Sequence, residues 1–135
     1  MFNRFVVCAS VAAALCALAA PALAGTKDSS ITLNQTGAGF AATATPHLGG
    51  AVSFTVVYPT NVKNPRVEVL CYQNGALVYG EGGGPTDTFT LGGGSSLWLS
   101  SGGAAACVAN LYYFTWKAGQ PATTYLATTS FDAGA

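Results

Sequence analysis

Residues 51–58 (AVSFTVVY) alternate apolar Val52, Phe54, Val56 and Tyr58 with Ser53 and Thr55, the period-two pattern of a strand with one buried face. Residues 30–36 (SITLNQT) form a shorter run of the same kind. Pro59, Asn61, Asn64 and Pro65 then break the chain before residues 66–73 (RVEVLCYQ), the dipeptide Asn74-Gly75 and residues 76–80 (ALVYG). Two β-type runs flanking Asn-Gly predict a tight hairpin, because both central positions of a type I′ turn need positive φ. Shorter strands are expected at residues 86–91 (TDTFTL) and 97–100 (LWLS), between glycine-rich loops at 82–85 and 92–96. The longest β run is 105–116 (AACVANLYYFTW), and 123–131 (TTYLATTSF) follows after Gly119 and Pro121. No window in this region has a helical period, and turn signals separate about eight short strands, which predicts an antiparallel sandwich.

Following side-chain parity from Cys71 places Val67, Val69, Ala76, Val78, Cys107, Ala109, Leu111 and Tyr113 on one sheet face. The opposite face receives Leu70, Tyr72, Leu77, Tyr79, Tyr112, Phe114 and Trp116, together with Arg66, Glu68 and Asn110. The charged and amide groups on this second face mark the cysteine face as the core. A two-layer sandwich buries one face of each sheet, so Tyr72, Tyr79, Tyr112, Phe114 and Trp116 are expected to form an exposed aromatic, partner-binding face.

The first 24 residues (MFNRFVVCASVAAALCALAAPALA) are of another kind: Arg4, an apolar run and an Ala22-Leu23-Ala24 end, the pattern of a cleavable secretory signal. The expected organisation is a signal peptide at 1–24 and one domain at 25–135, the remaining 111 of 135 residues being enough for a single core. Export also fixes the reading of the cysteines. Cleavage removes Cys8 and Cys16 and leaves Cys71 and Cys107 to pair in an oxidising compartment, as a structural disulfide. All 17 glycines fall after the signal, and the composition suits strands and turns.

Charge narrows the function classes. After cleavage Lys27, Lys63, Arg66 and Lys117 stand against Asp28, Glu68, Glu81, Asp87 and Asp132, a net charge of −1, and these scattered cations do not make a nucleic-acid surface. No apolar run after Ala24 reaches the roughly 20 residues that span a bilayer, so no membrane span is expected after signal cleavage. His47 is the sole histidine, which leaves no histidine-based metal cluster and a triad resting on one loop residue. The carboxylates are dispersed, and a Glu81–Asp87 glycosidase pair is outweighed by ordinary turn charges. Residues 37–42 (GAGFAA) match a loose GxGxxA without the helix a dinucleotide site needs, and 92–96 (GGGSS) lacks the second glycine of a nucleophile elbow. Asn34-Gln35-Thr36 is a glycosylation sequon, relevant in a eukaryotic secretory route. The expectation is of no catalytic site, no metal and no cofactor.

Over residues 30–131 the strand pattern resembles an immunoglobulin-like or fibronectin-type-III-like domain of an exported bacterial protein. The likeness is architectural: the second run carries no Cys, no Trp follows Cys71 at a suitable distance, and Ala105 stands where antibody-like domains place a Tyr before the second Cys. It implies an all-β, antiparallel two-sheet immunoglobulin-like sandwich of about seven to eight strands. It also implies that Cys71 on the third strand and Cys107 on the sixth are sheet neighbours. The expected function is a secreted or extracellular, equally a periplasmic, non-enzymatic module that recognises a protein or glycan through its aromatic face. A self-associating envelope subunit, such as a homodimer, is the alternative, and a small secreted hydrolase ranks behind both.

Overall fold

The computed structural model describes residues 28–34 and 45–135. The signal segment at 1–24, the GxGxxA match and Gln35-Thr36 of the sequon lie outside the described residues. Among the described residues seven strands form two antiparallel sheets: β1 (Ser30–Asn34), β2 (Ala51–Val57), β3 (Arg66–Gln73), β4 (Ala76–Gly83), β5 (Phe89–Thr90), β6 (Ala105–Lys117) and β7 (Gln120–Ala133). The orders are β1-β2-β5 and β4-β3-β6-β7. This is an all-β sandwich compatible with an immunoglobulin-like architecture; relative to a constant-type immunoglobulin domain, the fourth strand has moved from beside the fifth to beside the third.

The Asn74-Gly75 hairpin forms as its sequence predicts, with φ of 51° and 80° at the two turn residues. The β6–β7 hairpin uses the same geometry at Ala118 (φ 50°) and Gly119 (φ 78°), where Ala118 occupies a left-handed conformation that L residues other than Asn and Asp seldom adopt. No strand forms at 97–100. Residues 91–104 instead cross the end of the sandwich as a loop ending in a 3₁₀ turn, Ser100–Gly102. Trp98 anchors that loop by packing on Tyr79, with ring centroids 6.2 Å apart. Gln73, buried at the end of β3, donates from Nε2 to the Leu99 and Gly103 carbonyls at 2.8 and 2.7 Å. The alternation of Leu97, Trp98 and Leu99 is thus one buried ring between two exposed side chains of a loop.

The cysteine face is the core. Val67, Val69 and Cys71 on β3 and Ala109, Leu111 and Cys107 on β6 are buried, packed against Ile31, Val52 and Phe54 of the other sheet. Phe54 meets Phe89 of its own sheet at 6.0 Å and Phe131 of the facing sheet at 6.1 Å, the second contact joining the two layers. Cys71 and Cys107 are directly opposite in the β3–β6 register and form a disulfide with a Cα separation of 4.1 Å. The bridge lies within one sheet, between neighbouring strands, and closes a separation of 36 residues. The chain-entropy account assigns such a loop roughly 3–4 kcal/mol.

Candidate functional site

The outward face of β4-β3-β6-β7 is set by the pleat and by two bulges. On β6, Tyr112, Phe114 and Trp116 follow Leu111 with alternating parity, so these three rings point away from the core that Leu111 enters. Phe114 and Trp116 are 59% and 75% exposed, whereas Tyr112 is 9% exposed beneath its neighbours. The ring of Tyr112 meets Phe114 edge-on at 5.5 Å and Tyr125 at 6.0 Å.

Tyr125 was not expected on this face. Leu111 pairs with Ala127 and Tyr112 with Tyr125, so Leu126 is an extra residue, and this β7 bulge reverses the parity beyond it. Leu126 and Ala127 are both buried, and Tyr125 turns outward, 40% exposed, against Tyr112. A bulge in β4 has the opposite effect. Cys71 pairs with Tyr79 and Tyr72 with Leu77, leaving Val78 as the extra residue, and both Val78 and Tyr79 are buried. Tyr79 is therefore absent from the expected aromatic face: it lies on the cysteine side, 4% exposed, and its hydroxyl donates to the Glu81 carboxylate. Burial first, and then the bond and charge of Glu81, push the Tyr79 phenol well above its ordinary range.

Tyr72 faces outward but stands apart. It pairs with Ala106 while Arg66 pairs with Tyr112, so six residues of β3, roughly 20 Å at strand spacing, separate it from the other rings. The structure thus gathers Tyr112, Phe114 and Trp116 at one end of the sheet, adds Tyr125, leaves Tyr72 at the other end beside the exposed Leu77, and withdraws Tyr79.

A polar ladder borders the ring cluster. Glu68, Asn110 and Thr128 are in register across β3, β6 and β7. Asn110 donates from Nδ2 to Glu68 Oε1 at 3.0 Å, and the Thr128 hydroxyl donates to Asn110 Oδ1 at 2.7 Å. Tyr125 is close enough to Glu68 to feel its charge: burial first, and then the Glu68 carboxylate, raise the pKa of its phenol. Beside Glu68, Gly80 and Gly82 present no side chain on β4, which opens a groove of about 350 Å³ lined by Glu68, Leu70, Gly80, Glu81, Gly82 and Tyr112. A Cβ on Gly80 would lie 3.3 Å from Leu70 Cδ2, and one on Gly82 3.7 Å from the Tyr112 hydroxyl.

The other residues considered for chemistry have local roles. Asp87 accepts the Gly84 N–H at 2.7 Å and closes the turn after β4. His47 is exposed, its Nδ1 3.3 Å from the Thr45 carbonyl, and its backbone forms an isolated bridge with Gly134. Among the described residues no group of three or more His, Cys, Asp or Glu side chains is placed to hold a metal ion. No helix among them is long and apolar enough to cross a membrane. Comparison of the chain with protein-family models, with curated proteins and with solved structures returned no match.

Proposed function

We propose that the chain is an exported, non-enzymatic binding module of the immunoglobulin-like class, with fibronectin-type-III-like strand order, that engages a protein or glycan through Phe114, Trp116 and Tyr125. The observation that carries this reading is the outward presentation of two large rings at 59% and 75% exposure on a hairpin that extends beyond β3, beside a third at 40%. Folding does not require these rings to be outside. Aromatic anchors dominate the energetics of protein interfaces, and their faces stack on the C–H surfaces of sugars. The buried disulfide suits an oxidising, extracellular or periplasmic setting.

The test is retention of defined polysaccharides and of culture-filtrate proteins on the immobilised protein, in parallel with the Phe114→Ala, Trp116→Ala variant. Binding by the parent and its loss in a variant of unchanged melting temperature is the expected result; equal retention by both would refute the reading. Light scattering separates the alternative. A parental dimer that the variant dissociates assigns the same rings to self-association.

A further inference from the structure

Arg66 is the first residue of β3 and pairs with Tyr112, so residues 113–117 of β6 and 120–124 of β7 continue past β3 as a two-stranded ribbon. With strands about 4.8 Å apart and a rise of about 3.4 Å per residue, the ribbon presents a strip roughly 10 Å wide and about 17 Å long. Its outer side carries Phe114 opposite Thr123 and Trp116 opposite Pro121, all four exposed. Alternation sends Tyr113, Thr115 and Lys117 to the other side.

The polar groups that border this strip are balanced in charge and mixed in kind. Phe114 is the diagonal neighbour of Arg66 across the β3–β6 register, within reach of a long side chain. Arg66 is exposed, and among the described residues its side chain makes neither an ion pair nor a hydrogen bond, which leaves its five N–H donors available. Glu68, two positions along β3 on the same face, balances that charge and supplies an acceptor. The exposed Thr123 hydroxyl, also without a partner among the described residues, donates and accepts. Such a set selects no ion. It matches sugar hydroxyls, each of which is donor and acceptor at once, beside rings whose faces stack on C–H surfaces. A pyranose polymer lies along a strip of this width, whereas a standard protein interface, about 800 Å² on each partner, would spread well beyond the exposed rings.

We propose that the outer strip of the β6–β7 hairpin binds a single chain of a neutral polysaccharide, its pyranose rings stacked on Phe114 and Trp116 and its hydroxyls held by Arg66 and Thr123. This ligand class rests on the ring face being the binding face, and it can fail while that face stands.

The probes are cellohexaose, chitohexaose and maltohexaose, their disaccharides, and hexagalacturonate as the charged control, titrated by calorimetry and by tryptophan emission. Trp116 is 75% exposed and Trp98 4%, so a sugar stacked on the hairpin shifts the emission to the blue through Trp116. At least one neutral hexasaccharide is expected to give that shift and to bind about tenfold or more tighter than its disaccharide. The Phe114→Ala, Trp116→Ala variant removes the calorimetric signal, and Arg66→Met, a change at an exposed side chain, weakens binding about tenfold at an unchanged melting temperature. No binding of the three neutral hexasaccharides up to about 10 mM, preference for hexagalacturonate, disaccharides that bind as tightly as the hexasaccharides, or unchanged affinity in Arg66→Met would each overturn the proposal. If the sugars fail while a filtrate protein is still retained through Phe114 and Trp116, the ligand class is wrong and the binding face stands; if neither retention nor sugar binding depends on the rings, both fall.

Discussion

The two outward faces of this sandwich differ in kind. On the three-stranded sheet the outer positions of β1 and β2 are Ser30, Thr32, Asn34, Ala51, Ser53, Thr55 and the exposed Val57, and Thr55 donates to Asn34 Oδ1 at 2.7 Å. On the four-stranded sheet the same kind of position holds Leu70, Tyr72, Tyr112, Phe114, Trp116 and Tyr125. Both sheets meet the requirement of folding with their inner faces. The first outer face shows what solvent alone selects, short hydroxyl side chains suited to strands. Measured against it, the rings of the second are a departure that needs a cause outside the fold, and a binding surface is such a cause.

The largest effects should arise where the inner and outer faces of one strand are compared. Leu111 is fully buried and Tyr112 begins the outer cluster, so Leu111→Ala should destabilise by about 2–5 kcal/mol. Replacing Cys71 and Cys107 by Ala should cost roughly 3–4 kcal/mol by the chain-entropy account. Denaturant midpoints measure both. A smaller loss at Leu111 than at Phe114 would reverse the assignment of inside and outside.

Next in size is an alkaline transition. The folded-state pKa of Tyr79 is raised from 10.0, burial being the first cause, so the unfolded chain ionises this phenol at a pH where the folded chain holds it neutral. Its stabilising contribution is complete below the ordinary tyrosine value and is lost as the pH rises above it. Tyr125 is shifted in the same direction but is more exposed, so it contributes less. Denaturant midpoints between about pH 9 and pH 11 should fall for the parent, fall less for Tyr79→Phe, and change little on Tyr125→Phe. A larger change from Tyr125→Phe would mean that the outer face is the drier one.

Much of this was legible in the residues, and the exceptions share a cause. Alternation located the strands, Asn74-Gly75 located a hairpin, and the charged neighbours of the rings identified Cys71 and Cys107 with the core. What alternation cannot reveal is an extra residue within a strand, since a bulge inverts parity without changing composition. Val78 and Leu126 are such residues, and they exchange Tyr79 for Tyr125 on the outer face. Residues 97–100 mislead for a different reason: one buried Trp between two Leu has a strand's pattern, while the glycines at 92–94 and 102–103 give the backbone a loop's freedom.

The hairpin that carries the rings can be sharpened from its turn. Ala118 holds φ 50°, a conformation that glycine adopts at no steric cost, so Ala118→Gly should stabilise the protein by about 0.5–1 kcal/mol. The same change should strengthen binding through Phe114 and Trp116 by ordering the hairpin before contact. Thermal melts and the retention assay report the two effects separately. Destabilisation would show that the loss of the Ala118 side chain outweighs the relief of its backbone.

The smallest expected change is the most informative. Phe114 and Trp116 are largely exposed, so replacing both by Ala should shift stability by no more than about 0.5 kcal/mol each, the range of ordinary surface substitutions. Tyr112→Ala does not test the same point, because Tyr112 is 9% exposed and its loss would remove packing under Phe114 and Tyr125. A pair of large rings whose removal leaves the fold intact contributes little to stability, and a sheet whose other layer is faced with serine and threonine shows that such rings are dispensable to the architecture. If the double variant instead loses several kcal/mol, the rings belong to the fold, the contrast between the two outer faces becomes a contrast in packing, and the exposed rings no longer argue for a binding surface.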